Sequence, residues 1–125
     1  MKHILTCSFG KDSIATALLA LQHGEPLDEL VYSEVMFSNT VSGELPEHKR
    51  FIYETAIPYF EKRGIPTRVL RGQKTYLDCF YRIVSRGNAE GKLASFPLTG
   101  RCSIQRDCKL PPIRNYQKTL PQDTV

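Results

Sequence analysis

The chain opens on a short apolar run, "KHILTC", that breaks at "SFGKDS" and passes directly into a helical stripe. Ile14, Ala17, Leu18 and Leu21 form that stripe, and Gly24 is a natural stop. A strand feeding a helix through a tight turn is half of a parallel crossover unit, and here it recurs. "ELVYSEVMF" is a second strand rich in Val, Tyr and Phe, followed by the polar loop "SNTVSGE". Pro46 opens a second helix carrying Phe51, Ile52, Ala56, Tyr59 and Phe60 up to Gly64, with Pro58 inside it predicting a kink or two short pieces. "PTRVLRG" is a third strand, and "TYLDCFYRIVSRG" a third helix with Tyr76, Phe80, Ile83 and Val84 on one side. After the loop "NAEGK", the stretch "LASFPLTGRCSIQRDCKL" has no clean period and reads as an irregular loop. Pro111 and Pro112 then open a last helix with Ile113, Tyr116 and Leu120. The order predicts a three-layer α/β/α fold on a parallel sheet with right-handed crossovers. "KHILTC" reads as a strand buried on both faces. Ligands in such sheets bind beyond the carboxyl ends of the strands, which puts residues 8–13, 37–43 and 71–75 along one rim.

The 125 residues fit one domain, 1–125, able to bury roughly two-thirds of its unfolded surface. No run approaches the roughly 18 apolar residues of a membrane span, and the first residues lack the pattern of a signal peptide, so the expected location is cytoplasmic, without membrane partners. In that setting Cys7, Cys79, Cys102 and Cys108 are expected to be reduced thiols. The formal charge is +4, and residues 100–118 hold Arg101, Arg106, Lys109, Arg114 and Lys118 against Asp107 alone. Such a cluster points to an anion, whether phosphate, sulfate or nucleic acid, or else to a solvated basic face.

A helix start exposes unpaired N–H groups and a partial positive charge, so the opening turn is already suited to an anion. Gly10 lets the backbone approach closely, Ser8 and Ser13 add hydroxyls, and Lys11 adds a cation. Asp12 has its best use there as a partner for Mg²⁺ or a lysine. The alternative is a capped helix whose Ser and Asp satisfy only its own first turn.

"SFGKDS" resembles the pyrophosphate-binding loop of the ATP-pyrophosphatase (PP-loop) superfamily, usually Ser-Gly-Gly-x-Asp-Ser. More narrowly it is similar to the phosphoadenosine phosphosulfate (PAPS) reductase family. "VMFSNTVSGELPEHKRFI" resembles that family's second strand, its Asp-Thr-Gly-like segment and the Pro-Glu helix start. "GRCSIQRDCKLPPI" resembles its Arg-x-Cys…Lys-x-x-Pro element, and the likeness runs in order over residues 2–118. The resemblance implies an adenine nucleotide alpha hydrolase-like, Rossmann-like sheet, with two alternatives after the third strand: a truncated member, or one completed by another subunit. It implies that Ser8, Phe9, Gly10, Lys11, Asp12 and Ser13 hold the phosphates of ATP or a sulfonucleotide, with Lys11 and Asp12 catalytic and Asp12 a Mg²⁺ partner. Asn39 and Thr40 would lie near the adenine or ribose. Arg101, Cys102, Lys109 and Arg114 would hold a second anionic group, in keeping with the bidentate grip of arginine on phosphate or sulfate.

Asn39 stands where many relatives carry Asp, and Ser42-Gly43 are displaced from the Asp-Thr-Gly pattern. The Glu-Cys-Gly-Leu-His-like segment of the reductases is not found, nor are the paired cysteines of the iron–sulfur branch, so the expectation is an enzyme without the reductase tail cysteine and without a cluster. The family's further strands lie beyond the first, so a second copy or partner subunit is expected to cover that edge. Two other functions compete: a nucleotide-binding or regulatory module without chemistry, and a nucleic-acid binder using residues 100–118. Tyr116 is the one aromatic residue in that segment, a poor stacking platform.

Overall fold

The structure is a computed structural model that describes residues 1–95 and 102–125. The three apolar runs form β1 (Ile4–Thr6), β2 (Glu29–Glu34) and β3 (Thr67–Arg71) of one parallel sheet, ordered β1-β2-β3. Leu5 lies beside Leu30, Tyr32 beside Val69, and Glu34 beside Arg71. Being central, β2 is buried at every residue from Glu29 to Glu34. The first strand, expected to be covered on both faces, is instead an edge: Ile4 and Leu5 are half-buried and Thr6 is exposed. Part of its outer side is occupied by residue 125. The Ile4 N–H donates to the Val125 carbonyl and the Val125 N–H to the Lys2 carbonyl, both at 2.8 Å.

Among the described residues five α-helices accompany the sheet: α1 (Lys11–His23), α2 (Pro46–Phe51), α3 (Ile57–Glu61), α4 (Tyr76–Phe80) and α5 (Leu110–Gln117). The two-residue period of β2 sorts them onto opposite faces. Leu30 and Tyr32 pack with Ala17 of α1, Ile52 and Phe60. On the other face the Ser33 hydroxyl donates to the Lys109 carbonyl and the Tyr116 hydroxyl to Glu29. The result is an α/β domain with helices on both faces of a parallel sheet. On α1, Ile14, Ala17 and Leu21 turn inward, whereas Leu18, expected in the same stripe, is 38% exposed.

Both proline-bearing helices differ from expectation in the same way. A π-helical turn, Ile52–Ala56, joins α2 to α3, and the Ile57 N–H reaches back five residues to the Ile52 carbonyl. Pro58 comes next, so its ring enters where the turn has already widened, and the helix runs on without a break. A second π-helical turn, Gln105–Lys109, precedes α5, with the Leu110 N–H on the Gln105 carbonyl. Pro111 and Pro112 therefore sit inside a helical stretch that starts before them, in a segment whose sequence reads as irregular. The third helix is shorter than expected and ends at Phe80. Beyond it Ile83 bridges Leu93 in antiparallel fashion, and the Val84 N–H donates to the Lys92 carbonyl at 2.9 Å. The β-branched pair at 83–84 suits that extended path better than a helix.

Candidate functional site

The turn after β1 departs from a glycine-driven loop. Gly10 has ordinary extended backbone, φ −74° and ψ 168°, and it is Phe9 that adopts the left-handed conformation at φ 58°. That conformation costs a bulky residue on the order of 1–3 kcal/mol and persists where surroundings enforce it. Here Phe9 is buried, with its ring edge-on to Tyr32 at 5.4 Å and 73°. The Tyr32 hydroxyl in turn donates to Glu44 at 3.0 Å, and burial together with the Glu44 charge holds that phenol well above its ordinary pKa. The loop is thus pinned to the core through its strained residue, leaving Ser8 exposed and Gly10 half-exposed beside it.

The first turn of α1 is closed by the loop's own atoms. The Gly10 carbonyl accepts from the Ile14 N–H at 3.0 Å and the Ser13 hydroxyl at 3.1 Å, and the Ser8 and Ser13 hydroxyls lie 3.3 Å apart. Among the described residues no side chain caps the helix, which leaves the N–H groups of its first turn for other partners. Lys11 and Asp12 are exposed. Among the described residues no three His, Cys, Asp or Glu side chains converge as a metal cage.

The second expected anion group comes from the far end of the chain. Lys109, at the end of the second π-helical turn, lines a cavity of about 220 Å³ together with Cys7, Ser8, Tyr32, Ser33 and Ile113. Two contacts hold its turn against the sheet. Ser33 donates to the Lys109 carbonyl at 3.0 Å, and the backbone of Gly72 comes so close that a Cβ there would sit 2.6 Å from the Cys108 carbonyl oxygen. Ser8 and Lys109 are therefore brought together at the carboxyl ends of β1 and β2. Among the described residues, Phe9, Gly10, Lys11, Asp12, Ser13, Asn39, Thr40, Cys102 and Arg114 do not line that cavity. Asn39 and Thr40 are exposed on the loop after β2, where the Thr40 N–H donates to the Ser38 hydroxyl at 3.4 Å. Arg114 is exposed on α5, Cys102 is exposed at the start of the last helical stretch, and Arg101 lies outside the described residues.

Sequence reasoning missed the buried carboxylate at the same end of β2. Glu34 is fully buried and accepts from Arg71 at 2.7 and 2.8 Å, from the Tyr53 hydroxyl at 3.3 Å and from the Ser42 hydroxyl at 3.4 Å, with Lys49 at 3.8 Å. Burial and the Glu34 charge push the Tyr53 phenol above its usual pKa, against the pull of Arg71. Ser42 belongs to the rim loop, so Glu34 ties that loop and α2 to β3. The loop is drawn in tightly enough that a Cβ on Gly43 would lie 2.6 Å from the Val35 carbonyl oxygen. A signal existed: two glutamates inside an apolar strand, and two arginines, Arg68 and Arg71, inside the next. Comparison of the chain with protein-family models, with curated proteins and with solved structures finds no match in any of the three.

Proposed function

We propose that the chain binds an adenine nucleotide, ATP or a sulfonucleotide, with its phosphates at the turn 8–13 and the face of Lys109, as its resemblance to the PP-loop and PAPS reductase families implies. The observation that carries this reading is that Ser8 and Lys109, from opposite ends of the chain, line one cavity at the carboxyl ends of a parallel sheet. That cavity is smaller than the ~300–1,000 Å³ of a typical small-ligand pocket. It takes one portion of a nucleotide, while the rest lies over the open start of α1. In this reading the N–H groups of Lys11, Asp12 and Ser13 and the hydroxyls of Ser8 and Ser13 donate to phosphate oxygens. Lys11 and Lys109 place cations where charge accumulates on the phosphates. Asp12 would hold Mg²⁺, which when bound neutralises charge on the phosphate oxygens. The reaction class is cleavage between the α- and β-phosphates of ATP, or handling of a sulfonucleotide.

Thermal-shift measurements with ATP, PAPS, AMP and short oligonucleotides test it. Stabilisation by the mononucleotides is expected, and stabilisation by the oligonucleotides alone would transfer the reading to nucleic acid. Pyrophosphate released from ATP and abolished by Asp12→Ala separates a catalyst from a module that only holds its ligand. We further propose that a second copy or a partner subunit covers β1, an edge strand whose Thr6 is exposed and whose Ile4 and Leu5 are half-buried. Light scattering is then expected to give at least a dimer, and a monodisperse monomer of the isolated chain would exclude the self-association.

A further inference from the structure

Cys79 of α4 and Cys108 of the second π-helical turn lie with their Sγ atoms 3.4 Å apart, both buried, in a small cluster with Ile104, Val35 and Tyr76. We propose that these two thiols are a reversible oxidation site, closing to an intramolecular disulfide with a peroxide as oxidant. The sulfurs already touch, and the bond requires them to close to about 2.0 Å. One half of the pair sits on a five-residue helix and the other on a π-helical turn. In the reaction one thiol, as its thiolate, attacks an oxygen of hydrogen peroxide and becomes a sulfenic acid, and the displaced hydroxide leaves as water. The second sulfur attacks the sulfenic sulfur and expels the second oxygen as water. Two S–H bonds are lost, one S–S bond forms, and peroxide is reduced to two waters. Burial and the neighbouring Cys79 sulfur push the Cys108 thiol up, so Cys108 at rest is a poor nucleophile. The bond would fasten α4 to the turn that carries Lys109. The inference stands on the sulfur geometry and does not depend on the nucleotide reading.

The test uses the full chain and its Cys102→Ser variant, which removes the exposed thiol, each treated with hydrogen peroxide and then alkylated under denaturing conditions. Expected is a 2 Da loss in intact mass before alkylation, one peptide pair linking Cys79 to Cys108 in both proteins, reversal by dithiothreitol, and a melting temperature raised by roughly 5–15 °C. Cys79 and Cys108 still fully alkylated after oxidation would overturn it, as would a link of either one to Cys102 in the wild-type chain. Loss of the 79–108 link in Cys79→Ser or Cys108→Ala, with both variants shown folded by circular dichroism, completes the assignment. Persistence of the 2 Da loss in both variants would contradict it.

Discussion

Among single residues, Phe9 rather than Gly10 bears the strain of the opening turn. Phe9 holds the left-handed position because its ring is locked against Tyr32, whereas Gly10 uses no conformation that another residue lacks. A Cβ on Gly10 would meet nothing closer than the Ser8 hydroxyl at 3.5 Å. Phe9→Ala is therefore expected to lower stability by about 3–5 kcal/mol in urea denaturation, while Gly10→Ala costs no more than about 1 kcal/mol. The reverse order would show that the turn depends on its glycine. The buried Glu29 gives a second prediction. Burial pushes its carboxyl up, but hydrogen bonds from Lys2, Tyr116 and Arg68 outweigh that and hold it below 4.5. A folded-state pKa below the unfolded one contributes stability that is whole above 4.5 and is lost as pH falls from there through the folded value. Glu29→Gln should cost about 1–3 kcal/mol at pH 7 and flatten the acid limb of a stability–pH profile. An unchanged limb would assign acid sensitivity to other groups.

At the scale of elements, α1, β2 and β3 were legible because apolar spacing and glycine stops report local structure directly. Three features were not. The third helix stops at Phe80 because Ile83 and Val84 gain cross-strand partners at 92–93, a tertiary event that a helical stripe does not reveal. Pro58 reads as a kink or break and Pro111 and Pro112 as a helix start, since nothing in residue type announces the wide turns that precede them. The Glu34–Arg71 pair needs the parallel register, which only the assembled sheet supplies. If the π-helical turn relieves Pro58, then Pro58→Ala should change stability by less than about 1 kcal/mol. A gain near the ~3 kcal/mol cost of proline within a regular helix would show that the clash is still present.

At the scale of the whole molecule, a parallel sheet with helices on both faces brings residues from both ends of the sequence to one rim. The start of that rim was legible in "SFGKDS"; that Lys109 shares its cavity, and that Asn39, Thr40 and Arg114 do not, depends on how the last helical stretch crosses β2. No helix among the described residues is long and apolar enough to cross a membrane. Ser8 and Lys109 are proposed to act on one anionic ligand. That joint action is tested most directly by a double-mutant cycle, with ATP affinity measured by calorimetry for wild type, Ser8→Ala, Lys109→Ala and the pair. The account predicts at least a tenfold loss for Lys109→Ala, unchanged melting temperatures without ligand, and losses that couple by 0.5 kcal/mol or more, above the roughly 0.3–0.5 kcal/mol scatter of independent sites. Strict additivity, or ATP affinity indifferent to Lys109, would contradict it.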